Sequence, residues 1–142
     1  MAMEMVSVNL FAVVVSAVIS MGLGMLWYGP LFGQQWMKLS GIKEPSAEER
    51  KKMMGKMAPS MAAGFAASLV AAYVLAAIIK FSSSVGPIEG AITGFFVWLG
   101  FIATVSLNMV LWEGKPMKLY FLNNAYSLVN FALIGAVIAA MG

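Results

Sequence analysis

Four long stretches without a single charged side chain follow one another along the chain, at residues 5–37, 57–79, 90–112 and 119–142, and none is shorter than 23 residues. A helix of 23 residues covers roughly 34 Å, more than the hydrocarbon core of about 30 Å, so each stretch predicts a helix long enough to cross a bilayer. Expected spans are about 6–28, 58–80, 89–112 and 119–141, joined by loops at about 29–57 and 113–118. The fold class is therefore an all-α membrane protein of four transmembrane helices, and residues 1–142 form one integral membrane domain. Composition agrees: 61% of residues are hydrophobic and 11% charged, with a mean hydropathy of +0.87, far from the balance of soluble domains. The first apolar run predicts a retained span, because residues 1–4 carry no Lys or Arg and the run is too long for a signal sequence.

Polar positions between the spans set the expected orientation. Lys38, Lys43, Arg50, Lys51, Lys52 and Lys56 fall in the first connection, and Lys115 and Lys118 in the third. Only Lys80 lies in the other, so eight of the nine cations share a side. By the positive-inside rule that side is cytoplasmic and both termini face out, as in a multi-pass protein of the cell's inner (plasma) membrane. Within the long connection Pro45 closes a turn, and Ser46 with Glu49 has the spacing of a capping box, which predicts a helical extension starting near Ala47 ahead of the second span. Its cations Arg50, Lys51, Lys52 and Lys56 read either as a solvated helix face or as a patch for anionic lipid headgroups.

The ends of the first and third spans share a pattern. Leu26-Trp27-Tyr28-Gly29-Pro30-Leu31 aligns with Leu111-Trp112-Glu113-Gly114-Lys115-Pro116-Met117, and Ser68-Leu69-Val70 with Ser127-Leu128-Val129. A duplication would make the protein two parallel-repeat helical hairpins, as in some transporters. Alternatively, any helix end at a headgroup layer favours Trp and a Gly-Pro stop. In the first copy Gly29 and Pro30 break the helix among Trp27, Tyr28, Phe32 and Trp36, which predicts an interfacial elbow serving as an anchor or as the lip of a gate.

Two intramembrane patterns remain. Thr104 and Asn108 lie four apart in the third span, and Asn123, Ser127 and Asn130 share a face of the fourth, with Asn124 and Tyr126 beside it. Lipid cannot satisfy an amide, so these side chains are expected inside the bundle, either joining helices or lining a polar pocket that includes Trp112. Small residues recur at fourfold spacing on the first span (Ala12, Ser16, Ser20, Gly24) and the second (Ser60, Gly64, Ser68, Ala72, Ala76), a pattern that lets helices approach closely within a protomer or across a homo-oligomer.

With no Cys and no His, and no charged residue in the interior of a span, the chain lacks the usual thiolate, imidazole, metal-ligand and proton-relay groups. Neither catalysis, a metal, a cofactor nor nucleic acid is expected; membrane lipid and a second copy are the expected partners. The 13 Met residues read as packing filler. Three functions stay open: a small oligomeric transporter or channel-like protein for a neutral or zwitterionic solute, a scaffold or regulatory subunit for another membrane protein, and, least favoured, a lipid enzyme using Glu113, Lys115 and Lys118.

The segment Trp27-Tyr28-Gly29-Pro30-Leu31-Phe32-Gly33-Gln34-Gln35-Trp36-Met37, the stretch Phe96-Val97-Trp98-Leu99-Gly100-Phe101 and the segment from Asn108 to Pro116 together resemble the domain-of-unknown-function family 1761. The resemblance covers nearly the whole chain. It implies a small bacterial four-helix integral membrane protein and no particular activity.

Overall fold

The computed structural model describes residues 8–41 and 46–142. The start of the expected first span, Lys43 and Pro45 lie outside them. Five helices follow in order: α1 (Leu10–Leu31), α2 (Gly33–Leu39), α3 (Ala47–Phe81), α4 (Gly86–Leu111) and α5 (Met117–Met141). All but α2 are long and apolar enough to cross a membrane. Among the described residues there is no strand.

Local chemistry sets the helix ends. Asn9 caps α1, its side-chain oxygen accepting from the backbone N–H groups of Phe11 (3.1 Å) and Ala12 (3.2 Å). Its amide nitrogen donates to the carbonyl of Met141 (3.2 Å), tying the start of α1 to the end of α5. The capping box at Ser46 forms, with Glu49 N–H donating to Ser46 Oγ and Ser46 N–H donating to the Glu49 carboxylate, both at 3.3 Å. From there α3 runs through Pro59 as a single helix of 35 residues. At about 1.5 Å per residue it is roughly 20 Å longer than the hydrocarbon core, so its charged first turns project beyond the bilayer. At the end of α4, Gly114 takes the left-handed conformation (φ 69°), and Lys115 N–H bonds back to Met109 C=O (2.9 Å), a glycine stop before Pro116.

The bundle is closed at one end and loose at the other. At the end holding Lys80 and Met141, Ala12, Val13, Ala72, Leu75, Ala76, Ile79, Ile134 and Ile138 form the buried core. Lys80 Nζ also donates there to the carbonyl of Gly142 (2.6 Å). The other end carries Lys38 and Lys118 together, on α2 and the first turn of α5. Outward faces are apolar, with Phe11, Phe96, Phe101 and Phe121 between 63% and 71% exposed, as lipid contact requires.

The tightest helix crossing lies between α4 and α5. A Cβ on Gly90 would collide with the carbonyl oxygen of Gly135, and one on Gly94 with that of Phe131. Backbones therefore touch along a Gly-x-x-x-Gly face. On α1 the small-residue face is buried at Ala12, Ser16 and Ser20. On α3 the corresponding face is buried only at Ala72 and Ala76, while Gly64 has just Met21 Sδ near its missing Cβ, at 3.8 Å. α1 and α3 thus close together at the core end and separate toward the basic end.

Candidate functional site

The elbow is a helix widened by its own sequence. Pro30 has no N–H to give, and at Trp27–Leu31 the helix opens into a π turn, with Phe32 N–H reaching Trp27 C=O (2.9 Å). Phe32 then leaves helical geometry and α2 begins at Gly33, where any Cβ would sit 2.6 Å from the carbonyl oxygen of Tyr28. The aromatic rings form one cluster that Tyr126 joins, its ring 6.2 Å from that of Trp27. Trp27 packs on Phe32 (centroids 4.8 Å apart), and Tyr28 meets Trp36 (5.9 Å) and Tyr126 (5.3 Å) edge-on.

The helix α5 holds this elbow and α4 alike. Toward α1, Trp27 Nε1 donates to Leu122 C=O (3.2 Å), Tyr28 OH to Asn123 Oδ1 (2.8 Å), Tyr126 OH to Ser20 C=O (3.1 Å) and Ser20 Oγ to Asn130 Oδ1 (2.7 Å). Toward α4, Tyr120 OH donates to Ala103 C=O (2.7 Å), Ser106 Oγ to Asn124 Oδ1 (2.9 Å) and Trp98 Nε1 to Ser127 Oγ (3.0 Å). At roughly 100° per residue, Asn123, Tyr126 and Asn130 form one row on α5, while Tyr120, Asn124 and Ser127 form another about a quarter-turn away. The structure thus directs Asn123 and Asn130 to one neighbour and Asn124 and Ser127 to the other.

Bonds to α4 fall where that helix is irregular. Trp98–Ala103 is a second π segment, and hydroxyls reach its carbonyls: Thr104 Oγ1 donates to Gly100 C=O (2.7 Å), and Ser106 Oγ shares its one proton between Ile102 C=O (2.6 Å) and Asn124 Oδ1. Thr104, Asn108 and Trp112 face outward, away from the two rows on α5. Ser16 Oγ is buried without a hydrogen-bond partner among the described residues.

Where α1 and α3 separate, a cleft of about 420 Å³ opens beside Tyr126. Its hydrogen-bonding groups are the hydroxyls of Ser20, Ser60, Ser68, Tyr28 and Tyr126; the thioethers of Met21, Met25, Met57 and Met61 supply most of the rest, with Gly24 and Gly64 at its floor. Among the described residues, none that lines it carries a charge. Asn123 and Asn130 stand behind the wall, bonded to Tyr28 and Ser20, and so fix two lining groups without touching the space themselves. Sequence spacing left Tyr126 beside the candidate face, whereas it stands at the centre. Its ring sits over Gly24, with the hydroxyl 3.1 Å from where a Cβ would be. The Asn123-Tyr126-Asn130 spacing carried that signal.

The cleft can bind a neutral molecule through hydroxyls and soft apolar contacts. Among the described residues it contains no acid–base pair, and no group of three or more His, Cys, Asp or Glu is placed to hold a metal ion. Neither a curated protein nor a solved structure matches the chain. Residues 11–139 match the family described as Protein of unknown function (DUF1761), a region that contains the elbow, the cleft and both rows on α5. This multi-pass helical membrane protein therefore belongs to the DUF1761 family.

Proposed function

We propose that the protein is a small oligomeric transporter of the plasma membrane that takes a neutral solute into the cleft between α1 and α3. One observation carries this reading: an uncharged cleft of about 420 Å³, within the range of small-molecule sites, open where α1 and α3 diverge and stopped toward the other end by the fully buried Ser16 and Ala72. A vestibule closed at one end is the form expected of one state of an alternating-access carrier. The lining selects against ions, because an unpaired charge there would lose its hydration with no counter-charge in return. Hydroxyls beside tyrosine rings and thioethers instead suit a solute with hydrogen-bonding groups on a partly apolar body.

Reconstituted protein is therefore expected to carry at least one of glycerol, glucose and uridine into liposomes faster than protein-free vesicles do. Gly64→Phe, which fills the cleft, should cut that flux at least to about the tenth that a loss of 1.4 kcal/mol in binding gives. Gly22→Phe, at a position with open space around it, should not. Absence of flux for all three solutes, or flux indifferent to Gly64→Phe, overturns the reading.

A second reading, association through α4 as a scaffold or homo-oligomer, is favoured by Asn108. Its side chain is exposed near the end of a membrane-crossing helix and has no hydrogen-bond partner among the described residues. A facing copy would supply the partner that lipid lacks. Asn108→Leu is then expected to shift the protein from oligomer to monomer in crosslinking and native mass spectrometry; an unchanged distribution removes this support.

A further inference from the structure

A second cavity, of about 520 Å³, lies at the basic end between the elbow, α2 and the start of α5. Its character differs from that of the cleft. Trp27, Phe32, Phe121 and Leu122 give it an apolar wall, while Lys38 from α2 and Lys118 from α5 stand at its edge, beside Gln35. No acidic residue lines it, and neither lysine has an ion-pair or hydrogen-bond partner among the described residues. Lys118 also occupies the first turn of α5, where the helix dipole disfavours a cation, and that turn contains no acid to offset it. Two cations from different helices, without a partner among the described residues, line one apolar slot at the level where the spans end, which is where a phospholipid places its phosphate above its acyl chain.

We propose that this cavity is a binding site for one anionic phospholipid of the leaflet at the basic end, its phosphodiester held between Lys38 and Lys118 and one acyl chain lying against Trp27, Phe32, Phe121 and Leu122. The lipid clamps α2 to α5. The site is separate from the α1–α3 cleft and independent of whether that cleft transports anything. It also differs from the exposed cations at the start of α3, none of which is among the described residues lining it.

Native mass spectrometry of the full chain in neutral detergent, titrated with phosphatidylglycerol or phosphatidylcholine, tests it. One phosphatidylglycerol is expected to bind more tightly than phosphatidylcholine. At about 1 kcal/mol for each cation, the double variant Lys38→Gln/Lys118→Gln should weaken it about 30-fold. Lys38→Arg/Lys118→Arg should retain binding, which separates charge from damage to the fold. Lys51→Gln/Lys52→Gln should leave binding unchanged, and millimolar inorganic phosphate should fail to compete, since the acyl chain contributes. Equal affinity for the two lipids, unchanged binding in Lys38→Gln/Lys118→Gln, loss confined to Lys51→Gln/Lys52→Gln, or displacement by phosphate would each overturn the proposal.

Discussion

Gly90→Ala and Gly94→Ala are each expected to destabilise the protein by about 3 kcal/mol, the upper end of what an added methyl group costs in a packed interior. At both positions the new Cβ would meet a backbone carbonyl on α5, of Gly135 or Phe131, so no side-chain rotation relieves the clash and the helices must move apart. Separation would also stretch the bonds from Trp98 to Ser127 and from Ser106 to Asn124, which span the same pair of helices. Equilibrium unfolding in mixed micelles with sodium dodecyl sulfate, followed by far-UV circular dichroism, measures the loss. Gly22→Ala and Gly100→Ala are the controls. Both have open space where the methyl would go, and each should leave stability unchanged or raise it by up to about 1 kcal/mol, since alanine favours the helix. Equal effects at all four glycines would mean that α4 and α5 do not meet at these backbones.

Tyr126→Ala is expected to cost about 2–3 kcal/mol, somewhat below the loss of a fully buried aromatic ring because this one is only partly buried. Its removal takes away the bond to Ser20 C=O, the ring contacts with Trp27 and Tyr28 and the filling over Gly24, all of which join α5 to α1. Tyr126→Phe separates these contributions: it keeps the ring and loses only the hydroxyl, worth about 0.6 kcal/mol on the scale of hydrogen bonds between membrane helices. The same unfolding experiment reads both. A phenylalanine variant as unstable as the alanine variant would place the whole effect in the hydrogen bond and none in packing.

Features written in local chemistry were legible along the chain. Span positions follow from charge-free length, and the start of α3 follows from Ser46 and Glu49, whose mutual bonds depend on four consecutive residues alone. Meetings between helices were harder to read. Asn123, Ser127 and Asn130 share a helical face by spacing, yet Ser127 bonds to α4 while the other two bond to α1, because the two neighbours divide that face between them. Gly90 and Gly94 carry the close-approach spacing in plain view, but Ala- and Ser-rich runs elsewhere repeat it more often. What distinguishes them is Gly135, far along the chain. Trp-x-Gly occurs at Trp27, Trp98 and Trp112; the first two begin π segments and the third ends a helix at Gly114. Nothing in the tripeptide itself separates these outcomes.

Because α5 supplies the partners for Trp27, Tyr28, Ser20 and Trp98, the earlier helices enter the bilayer with these groups facing hydrocarbon or one another. Their insertion can be sequential, but these bonds wait for the last helix to be threaded. A nascent chain halted before Met117 would therefore hold apolar rods with dangling indole and hydroxyl protons, the kind of incomplete assembly that membrane quality control recognises by its unsatisfied polarity.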